Sequence, residues 1–105
     1  MKLLKLAAVC LVVSQSAFAD DDIPAVWKSK CQSCHGADGK AQTKQGKKLK
    51  IDDMTVADWQ TKWTDEKIKK VVNEGVKDTK MESFKAKLTP EEIDGLVKHI
   101  RSFKG

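Results

Sequence analysis

Two cysteines and a histidine lie within five residues, in the sequence Cys31-Gln32-Ser33-Cys34-His35. The C-x-x-C-H spacing is the attachment pattern of c-type haem. Its thiols can add to the porphyrin vinyl groups, and the adjacent imidazole can bind the iron, since histidine is a common axial ligand of haem iron. The motif predicts one covalently bound haem, with Cys31 and Cys34 as attachment residues and His35 as an iron ligand.

Other chemistries can use the same cysteines. In an oxidising compartment a C-x-x-C pair can form a disulfide, and beside a βαβ pattern it can act as a thioredoxin-like redox pair. A zinc site could combine Cys31, Cys34, His35 and His99, although zinc sites usually carry wider pair spacings. The chain shows no convincing strand pattern, so we favour haem over these three alternatives.

The N-terminal residues have the pattern of a secretory signal peptide. Lys2 and Lys5 form a positive region, residues 6–13 are apolar, and Ala17-Phe18-Ala19 matches an A-x-A cleavage site. Cleavage there predicts an exported, periplasmic domain of residues 20–105, with 1–19 removed as the signal peptide.

Cys10 lies in the segment that cleavage would remove, so two cysteines remain. The bulky Val9 before it disfavours attachment of a lipid anchor at Cys10, and no other stretch is long enough to span a bilayer. We therefore expect no transmembrane segment.

The charge of the 105-residue chain is positive, with a formal net charge of +5. Export and the interleaving of lysines with acids argue against a nucleic-acid partner. We expect a monomer whose lysines steer redox proteins with acidic docking patches toward the haem edge. The candidate lysines are Lys40, Lys44, Lys47, Lys48, Lys80 and Lys85.

Hydrophobic periodicity predicts an all-α domain. Apolar residues at three- and four-residue steps indicate a first helix that carries the cysteines and is capped by Asp22. A loop over 36–53 follows, with Leu49 as an apolar anchor and room for a turn of helix. Thr55 is expected to cap a short helix with Trp59 and Trp63.

Two better-defined helices follow. Thr64 caps one that should end at Gly75. The other begins at the capping box Thr89-Pro90-Glu91-Glu92 and carries an apolar stripe. The stripe consists of Ile93, Leu96, Val97, Ile100 and Phe103.

Haem iron needs a sixth ligand or leaves an open position, and Met81, Met54 and His99 are the candidates. A methionine thioether raises the reduction potential. We favour Met81 because it lies with Phe84 in an irregular segment between two helices, where the chain can reach over the haem. Met54 and His99 stay as alternatives.

These motifs together resemble a bacterial class I c-type cytochrome, a small monohaem electron carrier. The resemblance covers residues 20–105 and rests on 31–39, on Met81-Glu82-Ser83-Phe84, and on 88–93 leading into 96–101. It implies three main helices plus short helices wrapped around one covalent haem, with the first and last helices crossing. The haem would be held by Cys31 and Cys34, with His35 and Met81 as axial ligands, in an electron-transfer protein rather than an enzyme.

The resemblance implies further details. Lys47 would offer the carbonyl that accepts a hydrogen bond from the proximal imidazole, which orients a ligating histidine. Trp59 or Trp63 would either donate to a haem propionate or fill the core, and Leu49 and Phe84 are possible haem contacts. Family members often have glycine where the terminal helices cross. Here Ile23 stands at that position, so the crossing should be wider or packed differently.

Two rival functions use the same residues. A haem-based gas sensor or ligand-binding protein would hold Met81 weakly and release it when a small ligand binds. A weak peroxidase would need a distal acid–base histidine, which the sequence does not show. The ferric absorption spectrum separates these functions, because methionine ligation has its own weak charge-transfer band.

Overall fold

The computed structural model describes residues 22–104, so the predicted signal peptide, its cleavage site and Cys10 lie outside the described residues. Residues 22–104 form helices without any strand, which confirms the all-α prediction. No helix in this range is long and apolar enough to cross a membrane. The helices are α1 (Ile23–Lys30), α2 (Gln32–His35), α3 (Lys44–Leu49), α4 (Ala57–Lys62), α5 (Asp65–Glu74) and α6 (Pro90–Arg101).

Threonine caps start three of these helices, because each hydroxyl accepts a hydrogen bond from a backbone N–H that the first helical turn leaves unpaired. Thr64 caps α5, and Thr89 with Glu92 forms the complete capping box of α6. Thr43 caps α3, the turn of helix within the 36–53 loop. Gly75 ends α5 with a φ of 72°. The predicted caps at Thr64 and Thr89 and the stop at Gly75 are confirmed.

Three local predictions were wrong. The first helix is divided at Cys31, whose φ of −122° separates α1 from α2. Asp22 precedes α1 but makes no side-chain capping bond. The hydroxyl of Thr55 donates to Asp53 Oδ1 at 2.6 Å, and α4 begins after Val56 instead. Asp53 also accepts from the Thr55 N–H at 2.8 Å, so a local aspartate turn replaces the expected cap.

The crossing of α1 and α6 is built on a glycine from α6. Ile23 is 4% exposed and lies against Gly95, where an added Cβ would come within 2.6 Å of Ile23 Cδ1. The large side chain at this crossing comes from α1 and the small one from α6. Gly95→Ala would overpack this crossing, which typically costs about 1–3 kcal/mol.

The core surrounds this crossing and extends to α5 and to the segment before α6. Burial of this apolar surface is the main stabilising contribution of the protein chain itself. Its buried members are Ile23, Trp27, Met54, Ile68, Val72, Phe84, Leu88, Ile93, Leu96, Val97 and Ile100.

Three aromatic rings close the end of the α1–α6 crossing. The centroid of Trp27 lies 5.2 Å from that of His99 and 5.1 Å from that of Phe103, and the last two rings are 5.0 Å apart. Phe103 also packs on Gly39, where a Cβ would meet its ring at 2.5 Å. His99 thus packs between α6 and Trp27 of α1, while Phe103 makes the contact with the loop after α2.

We expect His99→Phe to keep the haem spectrum and to reduce the loss of stability on acidification. Burial lowers the pKa of His99 from its ordinary value of 6.5. The unfolded chain therefore binds more protons, so the stability due to neutral His99 is complete above pH 6.5 and falls as the pH drops through that value. Chemical denaturation of both proteins at pH 8 and pH 5.5 measures the difference. An equal pH response in the two proteins would contradict this role.

Candidate functional site

A cavity of about 1010 Å³ lies at the centre of the helices, and all six of them contribute to its wall. The wall is mostly apolar, with residues such as Ile68, Val72, Leu96 and Ile100. Its volume is at the upper end of the range for small-molecule and cofactor sites, about 300–1,000 Å³. A cavity this large in a chain of 105 residues indicates that a sizeable, largely apolar group completes the core.

Most predicted site residues border this cavity. Lys47, the possible haem contact expected to offer its carbonyl, is not among the residues that line the cavity. It lies exposed on α3. The predicted residues that line the wall are Cys31, Cys34, His35, Leu49, Trp59, Met81 and Phe84.

Both cysteines are half-buried on the cavity wall, with free thiols. Burial raises the pKa of Cys31 to about 11, which Lys30 partly opposes and Cys34 reinforces. A thioredoxin-like cysteine needs a lowered pKa to act as a thiolate nucleophile. No group of three or more His, Cys, Asp or Glu side chains within residues 22–104 is arranged to hold a metal ion. The structure therefore does not favour the redox-pair and zinc alternatives.

His35 ends α2 and borders the cavity as a neutral imidazole. Burial lowers its pKa from 6.5, and a neutral ring is the form that binds a metal. Nδ1 of this ring is buried without a hydrogen-bond partner within residues 22–104. The expected bond from Nδ1 to the Lys47 carbonyl is absent. That oxygen accepts from the Lys50 N–H at 3.3 Å, because it takes part in the C-terminal cap of α3.

The turn that carries the motif is held by its neighbours. The Trp27 indole donates to the Gly36 carbonyl oxygen at 2.8 Å. The Thr43 hydroxyl donates to the Cys34 carbonyl oxygen at 3.1 Å. Gly46 lets α3 lie against the motif, since a Cβ there would come within 2.6 Å of the Cys34 carbonyl oxygen. Sequence reasoning missed Thr43 and Gly46. A threonine before a lysine-rich helix is a capping signal that could have identified Thr43.

Two of the three candidate sixth ligands border the cavity. Met81 is half-buried in the segment between α5 and α6, and Met54 is 8% exposed within the core. Met54 is fixed by its backbone, which donates to Gly39 and accepts from Gln60 Nε2 at 2.7 Å. The ring of His99 is outside the cavity wall, among the aromatic residues of the helix crossing.

Trp59 and Trp63 stack on one side of the cavity, with centroids 5.8 Å apart and ring planes at 23°. Which of the two indoles would donate to a haem propionate stays a prediction. Arg101 holds this wall, because its guanidinium donates to the carbonyl oxygens of Trp63 at 2.6 Å and Gln60 at 2.8 Å. No sequence pattern indicated this role of Arg101, which binds residues 41 and 38 positions earlier in the chain.

The rim of the cavity carries charges of both signs. Its lysines are Lys30, Lys50 and Lys80, and its acids are Asp52, Asp78 and Glu82. Among the six lysines expected to surround the haem edge, Lys80 alone borders the cavity within the described residues. The other five lie farther from the cavity wall, as part of the surrounding surface.

The site therefore combines a large apolar cavity, paired thiols on one turn and a buried neutral imidazole, and these features fit haem c. The family of cytochrome c oxidase, cbb3-type, subunit III matches residues 19–100 of the chain. The chain belongs to this family of c-type cytochromes. Membership implies haem-based electron transfer, which the motif and the cavity both accommodate.

Solved structures show the same relationship. The KustC0563 c-type cytochrome is 40% identical, with a TM-score of 0.72, over 78% of this chain and 96% of its own. A point mutant of that protein is 41% identical, with a TM-score of 0.71, over 79% of this chain and 99% of its own. No curated protein sequence matches the chain. The arrangement of helices around the cavity is thus the fold of a known c-type cytochrome.

Proposed function

We propose that this cytochrome is an exported monohaem electron carrier with histidine–methionine ligation. The observation that carries the proposal is the C-x-x-C-H turn on the wall of a large apolar cavity that Met81 also borders. Cys31 and Cys34 would hold the haem through thioether bonds, and His35 and Met81 would be its axial ligands. Haem bound in this way supplies a one-electron Fe(II)/Fe(III) couple.

The protein residues set the properties of this couple. As iron ligands, the neutral imidazole of His35 and the soft thioether of Met81 would hold the haem, and the thioether would favour Fe(II) and raise the reduction potential. The apolar wall would keep water away from the bound group. An apolar site disfavours the additional positive charge of the oxidised iron. If His35 and Met81 both hold the iron, no position would be left on it for a substrate, which is why we propose a carrier and not an enzyme.

A redox titration with visible spectra tests the proposal. We expect a reversible one-electron transition, low-spin spectra in both oxidation states and the weak methionine charge-transfer band in the ferric protein. The ferrous protein should not bind carbon monoxide rapidly. A high-spin ferric spectrum, or rapid carbon monoxide binding by the wild type, would instead support the gas-sensor function with a displaceable Met81.

The lysine-rich segment from Lys40 to Lys50 contributes a positive surface beside the cavity. Five lysines and no acid occur between Asp38 and Asp52. Leu49, 36% exposed, lies within this segment and lines the cavity. We propose that this surface attracts the acidic patch of a redox protein, which matches the small and transient interfaces of electron transfer.

Oxidation of the ferrous protein by hexacyanoferrate(III), an anionic one-electron oxidant, should slow as salt increases. Exposed charges are screened beyond about 8 Å at physiological ionic strength. At low salt, Lys48→Glu and Lys80→Glu should each lower the bimolecular rate about two- to tenfold, within the range of electrostatic steering. Lys67→Glu on α5 is the control, since it changes the net charge equally but belongs neither to the lysine-rich segment nor to the cavity wall. Equal effects of all three variants would show that only net charge matters.

A further inference from the structure

The chain reverses direction after α5 and returns along the end of that helix. We call residues 76–84, which include Met81, the strap. The Phe84 N–H donates to the Val72 carbonyl oxygen at 2.9 Å. The Ser83 hydroxyl donates to the Asn73 carbonyl oxygen at 2.5 Å. The last turn of a helix leaves such carbonyls unpaired. The strap therefore completes the C-terminal end of α5 and is bound to it.

Gly75 is the point of closest approach between α5 and the strap. A Cβ at this position would lie 2.7 Å from three backbone atoms, the Met81 oxygen, the Glu82 carbonyl carbon and the Ser83 nitrogen. Backbone atoms cannot turn away as the end of a flexible side chain can. The φ of 72° and ψ of −176° also fall in a region that is essentially restricted to glycine. Any other residue here would have to move the strap.

The backbone of Met81 is fixed on both sides. Its carbonyl oxygen accepts from the Val76 N–H at 2.8 Å, and its N–H donates to the Thr79 hydroxyl at 3.1 Å. That hydroxyl in turn donates to the Val76 carbonyl oxygen at 2.8 Å. Glu82 follows Met81, so no proline stiffens the chain at this point. The Met81 backbone is instead held by these hydrogen bonds and by its close packing against Gly75.

We propose that Gly75 is a positioning residue for the Met81 sulfur. Its missing side chain lets the Met81–Ser83 backbone lie directly on the end of α5, at the depth from which the thioether reaches the cavity. This inference rests on the proposed role of Met81 as the distal ligand. A methyl group at Gly75 would displace the Met81 backbone itself and so weaken or break methionine ligation.

The test is Gly75→Ala in the haem-loaded protein, with Gly95→Ala as the matched control. Both variants add one methyl group at a crowded glycine, and Gly95 faces Ile23 away from the cavity wall. Both should lower the midpoint of chemical unfolding. Under native conditions, Gly75→Ala should lose most of the methionine charge-transfer band and bind carbon monoxide at least tenfold faster than the wild type. Gly95→Ala should keep the wild-type band and remain slow to bind carbon monoxide.

The inference is overturned if Gly75→Ala loses stability but keeps the band and the slow carbon monoxide binding. If that variant cannot be isolated with haem, Thr79→Val removes the acceptor of the Met81 N–H and leaves Gly75 in place. It should weaken the band and speed ligand binding, and a wild-type result would then overturn the inference. Failure of the underlying ligand assignment is distinguishable, because the wild type would then lack the band or Met81→Leu would retain it.

Discussion

Haem should stay with the polypeptide after full denaturation in sodium dodecyl sulfate. Cys31 and Cys34 line the cavity from a single turn, and thioether bonds from both would survive loss of the fold, whereas axial ligation alone would not. Peroxidase-type staining of a denaturing gel measures the retained haem. Protein matured in the periplasm is expected to stain at the mass of the chain.

The double variant Cys31→Ser/Cys34→Ser is the control for covalent attachment. Its gel band should be colourless, and the folded protein should be scarce, because the cavity of about 1010 Å³ would lack the group that completes the core. Small domains often depend on such a staple. A colourless wild-type band from correctly matured protein would contradict the attachment and the function built on it.

Met81→Leu should open one axial position of the iron. The change conserves volume, so it should cost less than about 1.5 kcal/mol in packing. Loss of the thioether removes a ligand that favours Fe(II), and the reduction potential should fall by about 0.1 V or more, within the roughly 0.8 V that axial ligands control. The ferrous variant should bind carbon monoxide. Potentiometry and ferric spectra measure both effects.

Met54→Leu is the matched control, because Met54 also borders the cavity and the two substitutions are chemically identical. Met54 is 8% exposed, and a buried methionine is well suited to filling an irregular core. We expect its variant to keep the charge-transfer band and the potential nearly unchanged. If Met54→Leu abolishes the band and Met81→Leu retains it, Met54 is the distal ligand.

Local sequence signals predicted the best-defined helices correctly. The capping box at Thr89, the cap at Thr64 and the stop at Gly75 each depend on hydrogen bonds or backbone angles within a few residues. The same kind of reasoning was wrong at Asp22 and Thr55. Thr55 has a cap-forming side chain, but both its hydroxyl and its backbone N–H donate to the neighbouring carboxylate of Asp53 instead.

Contacts between distant segments could not be predicted from one sequence. Arg101 binds the carbonyl oxygens of Gln60 and Trp63, and Gly95 receives the side chain of Ile23 seventy-two positions earlier. The absence of the expected hydrogen bond from His35 to the Lys47 carbonyl could not be predicted either. Its formation depends on the exact placement of α3 against the motif, which Thr43 and Gly46 determine.

The sequence by itself determined the candidate chemistry, because C-x-x-C-H concentrates the thiols and the imidazole within one turn and needs no distant partner. It also determined the helices whose caps are local. Only the tertiary structure decided which residues share the cavity, how α1 crosses α6, and that the Met81 backbone lies on Gly75. These depend on packing between segments far apart in the chain, where a fraction of an ångström decides whether a side chain fits.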